Sequence, residues 1–297
     1  MDESKSTGER LLTGYFDRFT LEHLHRYGIA SELSHGKDVL DIASGEGYGS
    51  DLLATKSKTV CGVDIDPQVV NHSRGKYCRD NLRFLVGSAD AIPLTAESVD
   101  VVVSFETLEH HDRHEEMYLE IKRVLRPDGI LVISTPNKKY FSDLTDHRNA
   151  YHVRELYEHE FSELNRRHFR HSMMLDQKIV FGSLIFGQDH AEGLTILRGN
   201  HKVITQSKLG IEEPTYHFCI ASDLPLKRLG STFFDGDQVL RDTDERINEL
   251  TQTNEQFASS NASLRREIND LKKSPTFLVG SSLLTPFRII RNILRNI

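Results

Sequence analysis

The sequence predicts an α/β protein: a doubly wound, mostly parallel sheet followed by an α-helical coiled coil. Two observations carry the sheet. Short runs of apolar, often β-branched residues recur between 37 and 133, and amphipathic helical windows separate them. Runs without polar alternation suit strands covered on both faces, and strand–helix alternation builds parallel sheets. The third observation lies further on, where residues 240–273 contain neither Gly nor Pro and place mostly apolar residues, with two Asn, at alternating spacings of three and four. That spacing is the seam of a coiled coil.

In chain order, residues 1–36 are polar and read as helical, with Leu21, Leu24 and Gly28 leading into Ser31, Glu32 and Leu33. Residues 37–230 form the α/β domain. Its predicted strands are Lys37–Ile42, Thr59–Val63, Leu82–Val86, Val99–Val103 and Ile130–Ile133. The clearest helix lies between the last two. Asp112 is read as its cap, with Glu115 three residues on as the second half of a capping box. Met117, Ile121, Val124 and Leu125 make one apolar stripe, and Pro127-Asp128-Gly129 supplies the stop.

Composition narrows the class. The 297 residues are 38% hydrophobic and 27% charged, as in globular domains, and no apolar run approaches the ~20 residues of a membrane span. The opening residues are polar and mixed in sign, so no secretory signal is expected. Three scattered cysteines, Cys61, Cys78 and Cys219, fit reduced thiols rather than a disulfide framework or a CxxC site. With 44 acidic against 37 basic side chains, the net charge of −7 argues against nucleic acid as a partner. Histidine is abundant at 15, yet His110, His111, His114, His147 and His152 show no HExxH-like spacing, so no metal is expected. No GxSxG nucleophile motif occurs either.

In open α/β sheets the ligand sits beyond the carboxyl ends of the strands. The first predicted strand ends in Asp41-Ile42-Ala43-Ser44-Gly45-Glu46-Gly47, where small residues let the backbone approach a ligand. The turn is neither a dinucleotide GxGxxG nor a P-loop. The second ends in Asp64-Ile65-Asp66, where a carboxylate can accept from both hydroxyls of a ribose. The third ends in Gly87-Ser88-Ala89-Asp90 and the fourth in Phe105-Glu106-Thr107-Leu108-Glu109-His110-His111.

These motifs, VLDIASGEG (39–47), VCGVDID (60–66), GSADAIPL (87–94), SVDVVVSFETLEHH (98–111) and LRPDGILVISTPN (125–137), together resemble the class I S-adenosylmethionine-dependent methyltransferases. The resemblance is strong over residues 20–140 and looser to about 222. It implies a seven-stranded Rossmann-like sheet and S-adenosylmethionine as cofactor. Asp41 and the backbone through Ala43, Gly45 and Gly47 would cradle the methionine part. The family more often has Gly where Ala43 stands. Asp64 would take the ribose, Ile65 would pack on the adenine, and Ala89 and Asp90 would hold its edge. Phe105 would lie beside the methionine, and residues 22–27 look like the helix that lids the cofactor, with Arg26 or Tyr27 reaching its carboxylate.

Methyl transfer from a sulfonium is an in-line displacement, and a hydroxyl acceptor must lose its proton. His110, just past the fourth strand, is the expected base; the competing reading makes Glu109 and His110 a wall of the site. Acceptor selection is expected in the loop 137–152, with Lys138 and Arg148 as charge partners.

Written as heptads, Ile247, Asn254, Asn261 and Ile268 fall at a, and Leu250, Phe257, Leu264 and Leu271 at d. Residues 240–273 would make a rod of about 50 Å, and Asn at a favours a parallel homo-oligomer, a dimer or a trimer. Residues 274–297 carry no acid and place Phe287, Ile290, Ile293, Leu294 and Ile297 on one face, with Arg288, Arg291 and Arg295 largely off it. This basic amphipathic segment fits an anchor to a membrane surface or to a glycosyltransferase. Its stretch from Ser274 to Arg288 resembles the coiled-coil tails of bacterial surface-polysaccharide glycosyltransferases. Those resemblances point to O-methylation of a sugar in an O-antigen-like polysaccharide or its lipid-linked precursor, at the cytoplasmic face of the membrane. A small-molecule methyltransferase, or a scaffold with a retired methyltransferase domain, are the alternatives.

Overall fold

The computed structural model describes residues 18–146, 148–180, 197–200, 203–206 and 211–279. The chain divides into two units, one ending at Gly236 and the other beginning at Asp237.

The first unit is built on a seven-stranded sheet. Its elements in chain order are α1 (Arg18–Leu33), β1 (Asp38–Ile42), α2 (Tyr48–Ala54), β2 (Thr59–Asp64), α3 (Pro67–Lys76), β3 (Leu82–Val86), β4 (Val99–Phe105), α4 (His114–Val124) and β5 (Leu125–Pro136). They continue with α5 (Glu158–His168), β6 (His171–Gln177), β7 (Leu197–Asn200), β8 (Val203–Gln206) and β9 (Tyr216–Ser222). The strand order is β3-β2-β1-β4-β5-β9-β6, and β1 to β5 pair in parallel. The order reverses at β1, so the ends of β1 and β4 flank the switch point where ligands bind. All five predicted strands are present, and β5 extends well beyond its apolar run.

One strand runs the other way. β9 lies antiparallel between β5 and β6. Between β6 and β9 the chain makes an excursion that includes the antiparallel pair β7–β8. It leaves and returns at one place: the Thr215 amide donates to the Gln177 carbonyl at 3.0 Å, and the Asn137 amide donates to the Thr215 carbonyl at 2.9 Å.

Two apolar layers hold the sheet. On one face Met117, Ile121 and Val124 of α4 and Phe161 and Leu164 of α5 pack on Leu40, Val102 and Leu131. On the other Tyr27 and Ala30 of α1 and Leu53 of α2 pack on Val39, Val101 and Val132. The stripe predicted for α4 is therefore its core face, and the helix ends at Val124, before Pro127. The capping box is not formed. The helix begins at His114 with Arg113 at the cap and no side-chain cap bond, because the chain makes a tight turn at Leu108–His110 first. Asp66 does cap α3, accepting from the Gln68 amide at 2.8 Å.

In the second unit, α6 (Asp237–Lys273) is one continuous helix of 37 residues. Its heptad residues Leu240, Ile247, Leu250, Phe257, Leu264, Ile268 and Leu271 are all 48–64% exposed. Residues 280–297, with most of the expected anchor, and residues 1–17 lie outside the described residues, and no described helix is long and apolar enough to cross a membrane.

Candidate active site

The turn after β1 takes an unusual backbone path. Ala43, Gly45 and Gly47 all have positive φ, at 56°, 55° and 96°. Gly47 has a second reason to lack a side chain, since a Cβ there would meet Phe84 at 2.8 Å. Asp64, at the end of β2, ties this turn to its own. One carboxylate oxygen accepts from the Gly45 amide at 2.9 Å and the other from the Asp66 amide at 3.0 Å. A carboxylate oxygen can accept more than one hydrogen bond. Asp41 is buried beneath the turn, accepting from the Ser50 hydroxyl at 2.6 Å and from Tyr27 at 3.3 Å. Burial pushes its carboxyl up to about 7. Glu46 is likewise buried, paired with Lys76 and bonded by the Tyr77 hydroxyl at 2.7 Å.

Arg26 comes from α1 and is only 1% exposed, so the helix expected as a lid is part of the core. Its Nη1 lies 2.5 Å from Glu106 Oε1 and 2.8 Å from Ser134 Oγ, its Nε donates to Gln177 at 2.7 Å, and its guanidinium sits 4.5 Å above the Tyr216 ring. Glu106, at the end of β4, has a φ of 51°. Glu106, Ser134 and Gln177 were not among the expected site residues.

Elsewhere the expected groups line the strand ends. Ile65 is 68% exposed beside the buried Asp64. Ala89 packs on the core, and Asp90 accepts from the Ser88 hydroxyl and pairs with Arg113. The Ser88 bond, with Arg113 beside it, holds the Asp90 carboxyl below its ordinary range. Phe105 lies in the apolar layer beneath α1. Its ring stacks edge-on to Tyr27 at 5.0 Å and against Phe218 at 5.9 Å, only 5% exposed, because β4 directs it into the α1 layer.

Past β4, the turn places Glu109 and His110. Glu109 is buried and accepts from the Thr135 hydroxyl at 3.2 Å. Burial, with Glu106 nearby, pushes its carboxyl well above the ordinary range. His110 Nδ1 lies 3.2 Å from the Tyr151 carbonyl, and His110 Nε2 lies 4.0 Å from Glu109. Beside the end of β5, a groove of about 740 Å³ is lined by Asn137, Lys139, Tyr140, Tyr157, His159 and Arg166 among others. Lys138 sits 4.8 Å over the Tyr157 ring, and Tyr157 stacks on His159 at 5.9 Å. Arg148 is exposed.

Residues 40–133 match the family model described as a methyltransferase domain. A protein of Mycolicibacterium smegmatis, named a probable S-adenosylmethionine-dependent methyltransferase, is 40% identical over 162 residues, covering 53% of this chain and 62% of that protein. Over this segment the chain is similar to S-adenosylmethionine-dependent methyltransferase domains. A fatty-acid O-methyltransferase of the same species is 26% identical over 126 residues, 42% of this chain and 46% of that protein. Among solved structures, a chain of a Haloferax volcanii complex containing the Trm112 methyltransferase activator covers 68% of this chain and 90% of its own length, at 19% identity and a TM-score of 0.50, a likeness of fold. This chain spans less than two thirds of the length of the curated relatives it matches.

The methyltransferase domain takes S-adenosylmethionine, and the residues present fit that cofactor. Arg26 Nη2, Ser44 Oγ and Tyr48 Oη are all buried without a hydrogen-bond partner, and a ligand with a carboxylate and an ammonium would offer such partners. The exposed Ile65 offers an apolar face next to the Asp64 acceptors.

Proposed function

We propose that this protein transfers the methyl group of S-adenosylmethionine to a hydroxyl of a sugar, in a bacterial surface polysaccharide or its lipid-linked precursor. The observation that carries the cofactor half is the buried Nη2 of Arg26, which has no hydrogen-bond partner although the rest of the guanidinium is held by Glu106, Ser134 and Gln177. The bound sulfonium supplies the electrophilic methyl. Arg26 would hold the cofactor carboxylate, Asp64 the ribose, Ile65 the adenine face and Asp90 its edge. The Asp41 layer keeps the glycine turn in shape. His110 is the residue we assign to act on the acceptor oxygen, from the turn past β4.

The groove supports a sugar over an acyl chain. Its lining mixes Tyr140, Tyr157 and His159 with Asn137, Lys139, Glu158, Glu163 and Arg166. Flat rings with hydrogen-bonding groups between them suit a polyhydroxylated ligand, whereas an acyl chain calls for an apolar lining. A second reading, an oxygen of a fatty acid or lipid, is favoured by the name of the M. smegmatis relative. For α6 we propose a parallel homo-oligomer. Asn254 and Asn261 at a positions satisfy each other when identical helices align in register, and residues 274–297 would then anchor the assembly at a membrane surface or on a glycosyltransferase.

The test pairs calorimetry of S-adenosylhomocysteine with transfer of labelled methyl to two panels, oligosaccharides and fatty acids. Micromolar binding with label in the oligosaccharides supports the reading. Label only in fatty acids selects the lipid acceptor. A folded chain that does not bind removes the enzyme reading and favours a scaffold.

A further inference from the structure

The fold brings His152 back beside Glu109 and His110, which are neighbours in the sequence. One ligating atom from each of Glu109, His110 and His152 lies within 4.8 Å of the others. Their side chains are 1%, 28% and 7% exposed. The meeting is not a chance of loop placement. The main-chain carbonyl of Glu109 accepts from the amides of Val153 at 2.7 Å and Arg154 at 3.1 Å, which fixes the 150s loop against the turn past β4.

The outer contacts are those of a ligand set. His110 turns Nδ1 to the Tyr151 carbonyl at 3.2 Å, with Nε2 on the Glu109 side at 4.0 Å. His152 turns Nδ1 to the Glu155 carboxylate at 2.5 Å. A metal-binding imidazole characteristically gives its other ring nitrogen to a carbonyl or carboxylate, which fixes the tautomer and the ring plane. Both histidines do so, in the two alternative forms. The two rings meet edge to face at 5.2 Å, so neither stacks over the other's nitrogens. Glu109 Oε2 accepts from the Thr135 hydroxyl at 3.2 Å, while Oε1 is on the His110 side.

We propose that Glu109, His110 and His152 bind one borderline divalent cation of the Zn²⁺ class. Two imidazoles and one carboxylate are the donors such ions select, and three protein ligands leave at least one position open. The site stands past the carboxyl end of β4, on the acceptor side. Its open position would take the acceptor oxygen, a role that rests on the transfer reading above. The hydroxyl then gives its proton to solvent, the oxygen bonds the methyl carbon, and the carbon–sulfur electrons return to sulfur, leaving a neutral thioether. His110 is thereby a ligand that positions the acceptor, rather than a free base.

The test is metal binding by the full chain, freed of metal by dialysis against chelator. Co²⁺ is followed by its visible absorption bands and Zn²⁺ by calorimetry. One equivalent bound at micromolar or tighter affinity is expected, weakened at least 100-fold by His152→Ala. Glu155→Gln, which touches only the outer contact, should weaken it about 10-fold. No binding by the folded chain overturns the site, and so does binding that His152→Ala leaves unchanged, since other histidines would then hold the metal. Should Glu109→Gln fold poorly, His152→Ala and Glu155→Gln still decide. S-adenosylhomocysteine affinity, measured on the same samples, reports separately on the cofactor reading.

Discussion

Arg26 and Glu106, eighty residues apart in sequence, meet at 2.5 Å, and Ser134 closes the triangle by bonding both, at 2.8 and 2.7 Å. A guanidinium that is 1% exposed needs such company, because an uncompensated buried charge costs about 3–5 kcal/mol. Only Nη2 is left over, and it is what the cofactor would use. Arg26→Lys keeps the charge but loses the planar fork. Its affinity for S-adenosylhomocysteine should fall at least ~10-fold, with a lower Tm. Unchanged binding by calorimetry would take Arg26 out of the cofactor site.

Asp64 braces the Gly45 and Asp66 amides, and in the proposed reading it also takes the ribose. Asp64→Asn preserves the shape but leaves one accepting oxygen where there were two. Cofactor affinity should drop about 100-fold with circular dichroism unchanged. Retained micromolar affinity would move the ribose elsewhere.

Asp41 gives a pH signature. Its carboxyl rises from 3.8 to about 7 through burial. A carboxylate with a raised folded pKa stabilises the fold while protonated, so that stability is present below about pH 4 and lost as the pH rises to about 7. Each pH unit between those values is worth about 1.4 kcal/mol. Asp41→Asn removes this dependence. In urea denaturation the variant should gain on the parent by up to about 4 kcal/mol from pH 4 to pH 7, whatever its offset at either end. Parallel pH profiles would show Asp41 to be ionised as usual.

Ala43 occupies a conformation that costs an L-residue roughly 1 kcal/mol, at a φ of 56°. Ala43→Gly should therefore raise stability by about 0.5 kcal/mol, after the entropy that glycine adds to the unfolded chain. A fall in Tm would mean that the Ala43 methyl packs usefully.

Deleting residues 237–297 should leave a monomer that still binds the cofactor, because the sheet unit ends at Gly236. Light scattering reads the result, and a truncated chain that still oligomerises would relocate the interface.

Where the sequence was legible, the information was local. The β1 turn, Asp64 and Asp90 follow directly on apolar runs whose ends are readable, so motif and strand end coincide. Arg26 could be nominated but its partners could not, since Glu106, Ser134 and Gln177 arrive from three separate strands. His152 was passed over for the same reason: ligand spacing on one helix says nothing about a ring 42 residues beyond His110 that a loop carries back. Which layer Phe105 enters is decided by alternation along β4, which proximity to a motif does not reveal. β9 is buried at all seven positions, a pattern that carries no direction. The helical spacing of α6 was legible in its heptads.

The bond between Thr215 and Gln177 has one more implication. A segment that departs and rejoins at adjacent points of a sheet can be exchanged as a cassette. Doubling such a loop costs only about 0.6 kcal/mol in closure entropy, and neither β1 nor β2 takes part in closing it. Descendants of this fold could therefore trade residues 178–214 for other segments while the strands β1 and β2 and their turns stay as they are.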